Sequence, residues 1–279
     1  MDVWVEAALN GAAGRAYQPR IPIAVQEIID DAVVCAGEGA SLIHVHAYDA
    51  DGKPTEDADI YSRIIEGVRA RCDAIVYPTL ALAGTVEERY SPIRALMRRG
   101  LLEVGVVDPG SVNITHRIQV AMGAAGFVYP NPDEHIREGL RLAAQGGWRP
   151  AFAIYEPGFA RLGAALAATV ADLKTPVYRI MFSDHLLFGM PPSKRGVEFY
   201  AAHLDETAPG APKMLSGLDA DVTGVMDAAL ERGFHIRVGL EDAPFGTDRS
   251  NAELVREAAQ RIVSAGSKLA SPATVRGAP

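Results

Sequence analysis

Short apolar runs alternate with helix-like patterns eight times along this chain, and that period constrains the fold more than any other feature. The runs fall near residues 2–9, 41–47, 74–79, 102–107, 151–155, 176–182, 213–217 and 235–240. Helix-like stretches follow near 22–38, 57–71, 86–99, 131–146, 158–172, 193–204, 219–232 and 250–266. Sustained strand–helix alternation predicts parallel strands joined by helical crossovers, and eight such units predict a single-domain TIM (β/α)8 barrel. The runs Ala74-Ile75-Val76-Tyr77 and Pro176-Val177-Tyr178-Arg179-Ile180-Met181-Phe182 are nearly continuously apolar, as expected of parallel strands buried on both faces.

Helix boundaries are marked as well. Asn131-Pro132-Asp133-Glu134 reads as an N-cap followed by Pro at the first helical position, and Gly100 and Gly146-Gly147 read as stops. A doubly wound dinucleotide fold would need a glycine fingerprint after the first strand. The turn there, Asn10-Gly11-Ala12-Ala13-Gly14-Arg15, lacks the G-x-G-x-x-G spacing. No linker divides the chain, so residues 1–279 are read as one domain, with about 268–279 as a C-terminal tail that forms an arm or is partly ordered.

Charge and cysteine content narrow the function classes. A net charge of −8 argues against a nucleic-acid or anionic-membrane surface, which would require clustered excess Lys and Arg. Cys35 and Cys72 are too few for a disulfide framework, and no apolar run has the length of a membrane span. With no leader-like N-terminus, the expectation is a cytoplasmic protein.

In a TIM barrel the chemistry gathers at the C-terminal strand ends. Ser41-Leu42-Ile43-His44-Val45-His46 puts two imidazoles at positions i and i+2, on one face of a strand. Neutral imidazole suits Zn²⁺, and catalytic zinc sites commonly add a carboxylate and keep a position open. Two packed, hydrogen-bonded histidines are the competing reading. Glu241 favours the metal, because barrel closure brings the eighth strand beside the first and one strand from His44 and His46. Asp242, its neighbour, is the candidate general base. Arg237, inside an otherwise apolar strand, must pair with an internal acid or a substrate carboxylate.

Weaker strand-end candidates for substrate contact are Asn10, Thr79, Ser111 and Asn113; simple turn chemistry fits Ser111 and Asn113 equally well, and a residue such as Thr79 is more often structural than catalytic. His185, next to Asp184, has the makings of an acid or a ligand but reads first as a loop histidine. His116, His135, His203 and His235 receive no function.

Taken in order, Asn10-Gly11-Ala12, Ile43-His44-Val45-His46, Asp49-x-Asp51-Gly52-Lys53-Pro54, Gly110-Ser111-Val112-Asn113, His235-Ile236-Arg237-Val238-Gly239-Leu240-Glu241-Asp242 and Ser250-Asn251-Ala252-Glu253-Leu254-Val255 resemble the β-keto acid cleavage enzymes. The resemblance implies a TIM barrel, a homotetramer, and zinc held by His44, His46 and Glu241. It also implies conversion of a β-keto acid and acetyl-CoA to acetoacetate and a new acyl-CoA, with Asp242 as base and Arg237 supporting it. The chain departs from the family pattern at Ala13 and Ala153, where an acid is expected, and in the loop Phe182-Ser183-Asp184-His185-Leu186-Leu187-Phe188-Gly189-Met190. The metal site therefore carries over more directly than the substrate contacts. Two other readings fit the same residues: a zinc hydrolase of a small ester or lactam, and a non-catalytic metabolite-binding barrel.

Overall fold

The computed structural model describes residues 1–278, and its eight strand–helix units form a barrel. The strands are β1 (Val5–Ala8), β2 (Leu42–Val45), β3 (Ile75–Pro78), β4 (Val104–Val106), β5 (Arg149–Ile154), β6 (Val177–Phe182), β7 (Lys213–Gly217) and β8 (His235–Val238). Parallel ladders join them in the order β3-β2-β1-β8-β7-β6-β5-β4, and β3 packs beside β4 to complete the ring. The principal helices are α1 (Val25–Gly37), α2 (Ala58–Arg69), α3 (Val86–Arg98), α4 (Asp133–Gly146), α5 (Pro157–Ala167), α6 (Lys194–Thr207), α7 (Met226–Glu231) and α8 (Asn251–Ser264). Among the described residues, no helix is long and apolar enough to cross a membrane.

Every residue of β5 and β6 is buried, which explains why these strands read as continuous apolar runs rather than alternating ones. The helices begin where side chains satisfy free backbone N–H groups. Asp57 accepts from Asp59 and Ile60 at the start of α2, and reciprocal Thr85–Glu88 and Ser250–Glu253 boxes open α3 and α8. Asn251, the first residue of α8, reaches inward: its Nδ2 donates to Leu9 O at 2.8 Å and its Oδ1 accepts from Leu240 N at 2.7 Å. Helix α8 thereby fastens the seam between β8 and β1.

Four expectations are corrected. The first run is broken at Trp4, and Asp2–Val3 leaves the barrel to pair with Lys268–Leu269 beneath it. The tail is consequently no arm. It continues into a short helix, Pro272–Gly277, that buries Val275 and pairs Arg276 with Asp73 and Glu103. The N-cap of α4 is Pro132, because the Asn131 side chain is occupied by Gly110 O and the Arg89 guanidinium. The stretch 219–232 is helical only from a 3-10 turn at Thr223–Val225 onward, since Asp219 takes a left-handed φ of 50°. Between β4 and α4 lies an excursion that the strand–helix period does not reveal. A hairpin of Val112–Ile114 and Phe127–Tyr129 carries the short helix Arg117–Ala121 at its tip.

The closest backbone approach occurs at Gly239, just beyond β8. With φ of 147°, a Cβ there would lie 2.0 Å from Ala8 O, so only glycine lets β8 end against β1. Gly239→Ala should destabilise the fold by about 3 kcal/mol or more, read as the loss in urea-unfolding free energy. A change within about 0.5 kcal/mol would show that the seam relaxes freely.

Candidate metal centre and active site

The end of β1 is the hinge of the site. Leu9 N–H donates to His44 O at 3.1 Å on one side, and Glu241 N–H donates to Ala8 O at 3.2 Å on the other. One short length of backbone thus sets β2 and the loop after β8 in fixed register. His44 ends up in β2, His46 just beyond it, and Glu241 three residues past β8, with one donor atom from each within 4.8 Å of the others.

His44 Nε2 lies 3.5 Å from Glu241 Oε2, and His46 Nε2 lies 3.5 Å from Glu241 Oε1. Ligands at about 2.0–2.1 Å around a tetrahedral zinc are separated by about 3.3 Å, so this spacing fits an ion between them better than direct hydrogen bonds. Satisfaction of polar atoms points the same way. Among the described residues, His46 Nε2 and Glu241 Oε2 are buried with no hydrogen-bond partner, a costly state unless a cation completes it. Burial holds the His44 imidazole well below its ordinary range despite the Glu241 carboxylate, leaving it neutral as a ligand must be. The Glu241 carboxyl is held well below the usual carboxylate range against burial, by His44, Arg237 and His46. With His44 neutral, the charge that keeps it ionised is chiefly that of Arg237. These residues can hold a metal ion.

Arg237 lies across the base of this cluster. Its Nε and Nη2 form a fork on Asp242 at 2.9 and 2.7 Å, Nη2 also reaches Glu241 Oε1 at 2.9 Å, and Nη1 reaches Glu6 Oε1 at 2.9 Å. Burial pushes the Asp242 carboxyl up to about 6, against the pull of Arg237. The adjacent acids diverge as a strand end requires, Glu241 toward the imidazoles and Asp242 toward Arg237 and the N–H of Gly217.

The contacts continue down the barrel axis. Tyr77 Oη donates to Glu6 Oε1 at 2.6 Å and its ring packs 4.8 Å from His44, while Arg179 lies between Glu6 and Asp108. Along this chain of ion pairs the carboxylates of Glu6, Asp108, Glu241 and Asp242 share the Arg179 and Arg237 guanidiniums, with Arg89 also acting on Asp108. The sequence signal was an ionisable residue within an apolar strand, Glu6 in β1 and Arg179 in β6, but their partners lie too far along the chain to be read. Glu56, whose carboxyl burial pushes up to about 7, is a further acid facing His46 and was not singled out from the sequence.

The weaker candidates separate. Asn10 turns inward: its Nδ2 donates to Pro22 O and His46 O, and its Oδ1 accepts from His46 N, all at 2.9 Å. It braces a metal-site histidine with its amide N–H groups spent, rather than presenting them to a substrate. Ser111 Oγ accepts from Asn131 N at 2.8 Å and holds the turn after β4. Thr79 is half-buried at the end of β3, and Asn113 is exposed on the hairpin. Asp49 Oδ1 accepts from Asp51 and Lys53, making the Asp-x-Asp-Gly segment a turn. His185 is gathered with His116 and Asp219 into a second group on the rim, two of whose three members had received no function.

Fold and site together define a TIM-barrel enzyme with a His-His-Glu centre at the strand ends. The sequence matches the beta-keto acid cleavage enzyme family over residues 2–278, and the chain belongs to that family. It is therefore a carbon–carbon-cleaving enzyme of the acyltransferase type, not a metabolite-binding barrel. It is 25% identical over 280 residues to a 3-keto-5-aminohexanoate cleavage enzyme of Fusobacterium nucleatum subsp. nucleatum, covering 98% of this chain and 95% of that one. A 3-oxoadipate:acetyl-CoA acetyltransferase of Cupriavidus necator is 25% identical over 284 residues, covering 98% and 92%. Among solved structures, apo ObcA superposes with a TM-score of 0.72 at 17% identity, over 92% of this chain and 65% of its own length, a likeness of fold.

Substitution separates ligand from brace. His46→Ala should abolish binding of one metal equivalent per chain, whereas Asn10→Ala should weaken it about 10–100-fold without abolishing it. Metal content after dialysis against graded chelator reads both, and retention of wild-type content by His46→Ala would remove His46 from the ligand set.

Proposed function

We propose that this enzyme converts a small β-keto acid and acetyl-CoA to acetoacetate and a new acyl-CoA, with zinc held by His44, His46 and Glu241. The observation that carries the reading is the pair of orphaned buried donors beside an arginine-bound carboxylate, His46 Nε2 and Glu241 Oε2 next to Asp242. Family membership and the names of two relatives, one a β-keto acid cleavage enzyme and one an acetyl-CoA acetyltransferase, support the reaction class.

When bound, zinc supplies Lewis-acid polarisation of the keto oxygen, which makes the neighbouring Cα–H removable. Asp242 takes that proton. Its raised carboxyl makes it a stronger base than an ordinary aspartate while leaving it ionised near neutrality. Arg237 fixes the orientation of Asp242 through the two-point fork and stays charged, since three carboxylates surround it. The Cα carbanion then attacks the thioester carbonyl, and retro-Claisen cleavage follows. Thr79, with Ser111 and Asn113 across the rim, is proposed to contact the substrate, and Asn10 acts through His46. The rim above β5 is aromatic, with Tyr155 packed edge-on to Phe188 at 4.9 Å and to Tyr129 at 6.2 Å, which favours a β-keto acid with an uncharged tail. The same reading carries a homotetramer by family resemblance, and a cytoplasmic setting from the N-terminal sequence and the two cysteines.

A panel of β-keto acids with acetyl-CoA, followed by acetoacetate release, tests reaction and substrate together. Asp242→Asn should keep the metal and lose about 10²–10⁴-fold in kcat. Hydrolysis of the keto acid without CoA would replace this reading with the zinc-hydrolase one, with Asp242 activating water.

A further inference from the structure

The second cluster of ligand-type side chains lies on the same rim. His116 comes from the hairpin after β4, His185 from the loop after β6, and Asp219 from the loop after β7. The hairpin reaches past unit 5: His116 bridges Leu186, Arg117 N donates to His185 O at 2.9 Å, and Leu187 N donates to Thr115 O at 3.0 Å. Asp219 is buried and preset. Its Oδ1 accepts from Phe245 N at 3.0 Å, and its Oδ2 lies 3.0 Å from His185 Nδ1 and 3.6 Å from His116 Nε2.

The spacing alone would suit a cation, but the proton inventory does not. His116 Nδ1 accepts the Ile118 N–H at 3.1 Å, so the proton of the neutral ring sits on Nε2, the atom a metal would need. Both carboxylate oxygens of Asp219 already have partners, Phe245 N and His185 Nδ1, in contrast to the Glu241 carboxylate, whose Oε2 has none among the described residues. What the arrangement leaves available is His185 Nε2. That ring is partly exposed, its Nδ1–H is held by a buried carboxylate, and Nε2 makes no hydrogen bond among the described residues. A carboxylate that fixes the tautomer of an imidazole with a free outer nitrogen is the arrangement used for proton transfer. The dyad is also joined to the primary site. Ala220, next to Asp219, donates its N–H to Asp242 O at 3.1 Å, and Phe245 lies three residues past Asp242.

We infer that His185, oriented by Asp219 and braced by His116, is a second proton-transfer residue that serves the sulfur of the CoA thioester. The inference rests on the proposed reaction. Asp242 takes the Cα proton, and the carbanion forms a C–C bond to the thioester carbonyl carbon. The C–S bond breaks with its electron pair on sulfur, and the His185 imidazolium passes its Nε2 proton to that sulfur. In the second half, neutral Nε2 takes the proton back as sulfur bonds to the 3-keto carbon. Cleavage of the bond between Cα and that carbon returns an electron pair to Cα, which recovers the proton from Asp242. Atoms and charges balance with no further reactant.

The two halves can be read apart on the metal-loaded full chain. Exchange of the α-hydrogens of the β-keto acid in D2O reports Asp242 alone, while acetoacetate release from acetyl-CoA reports the complete sequence. His185→Gln should slow release about 100-fold or more and leave α-exchange within about twofold of wild type. Asp219→Asn, tolerated at a left-handed φ, should show a smaller loss of the same kind. Release unchanged in His185→Gln overturns the inference, and so does an equal loss of exchange and release, which marks a structural role. Binding of a second zinc equivalent that His116→Gln removes also overturns it, in favour of a cation site. Absence of α-exchange in the wild-type enzyme would instead defeat the underlying reaction.

Discussion

One buried guanidinium organises this molecule. Arg237 sits inside the barrel among Glu6, Glu241 and Asp242, and none of the four would be tolerable there alone. Removing a charge from water is costly, so the pairing decides geometry as well as stability: the guanidinium plane fixes where three carboxylates stand. Its Nη1 edge faces the barrel floor through Glu6, and its Nε and Nη2 edge faces the mouth. The same residue therefore links strand packing with the chemistry, and a Lys with a single point charge could not hold Asp242 by two nitrogens.

Much of this was legible because it is local. The strand–helix period, the i, i+2 histidines and the Arg-Val-Gly-Leu-Glu-Asp run all express themselves within a few residues. The barrel then converts local order into a site, since closure sets β8 beside β1 and β1 beside β2. What stayed hidden is what depends on partners far away in sequence. Asn10 looked like an open strand-end amide, yet its partners are Pro22 and His46. Asn131 looked like a helix cap, yet Arg89 and Gly110 claim it. The tail looked loose because its composition is that of a linker, while Arg276 finds Asp73 and Glu103 far away in sequence. Composition reports the unbound tendency of a segment, and ion pairs over about 200 residues override it.

Gly11 shows how little freedom the site keeps. A Cβ there would meet Glu241 Cγ at 2.9 Å, so the first loop lies directly against the carboxylate side chain. With Gly239 pressing on Ala8 from the other side of the seam, both glycines serve one purpose: they let the backbone of one strand end occupy the space next to a ligand. Preorganisation of this kind lowers the ordering cost when an ion or substrate arrives.

The rim carries two clusters built from the same residue types, and hydrogen-bond accounting tells them apart. At His44, His46 and Glu241, donor atoms converge, and two of the converging atoms, His46 Nε2 and Glu241 Oε2, are left without partners among the described residues. At His116, His185 and Asp219 both carboxylate oxygens are already matched, and the free outer nitrogen of His185 lies across the ring from the one that holds the carboxylate. Distance alone would class them together. Orphaned lone pairs that converge on one point fit a cation, whereas a satisfied carboxylate beside an imidazole with a free outer nitrogen fits a group that exchanges a proton. The physical difference is which protons are present, and the backbone N–H of Ile118 settles that for His116.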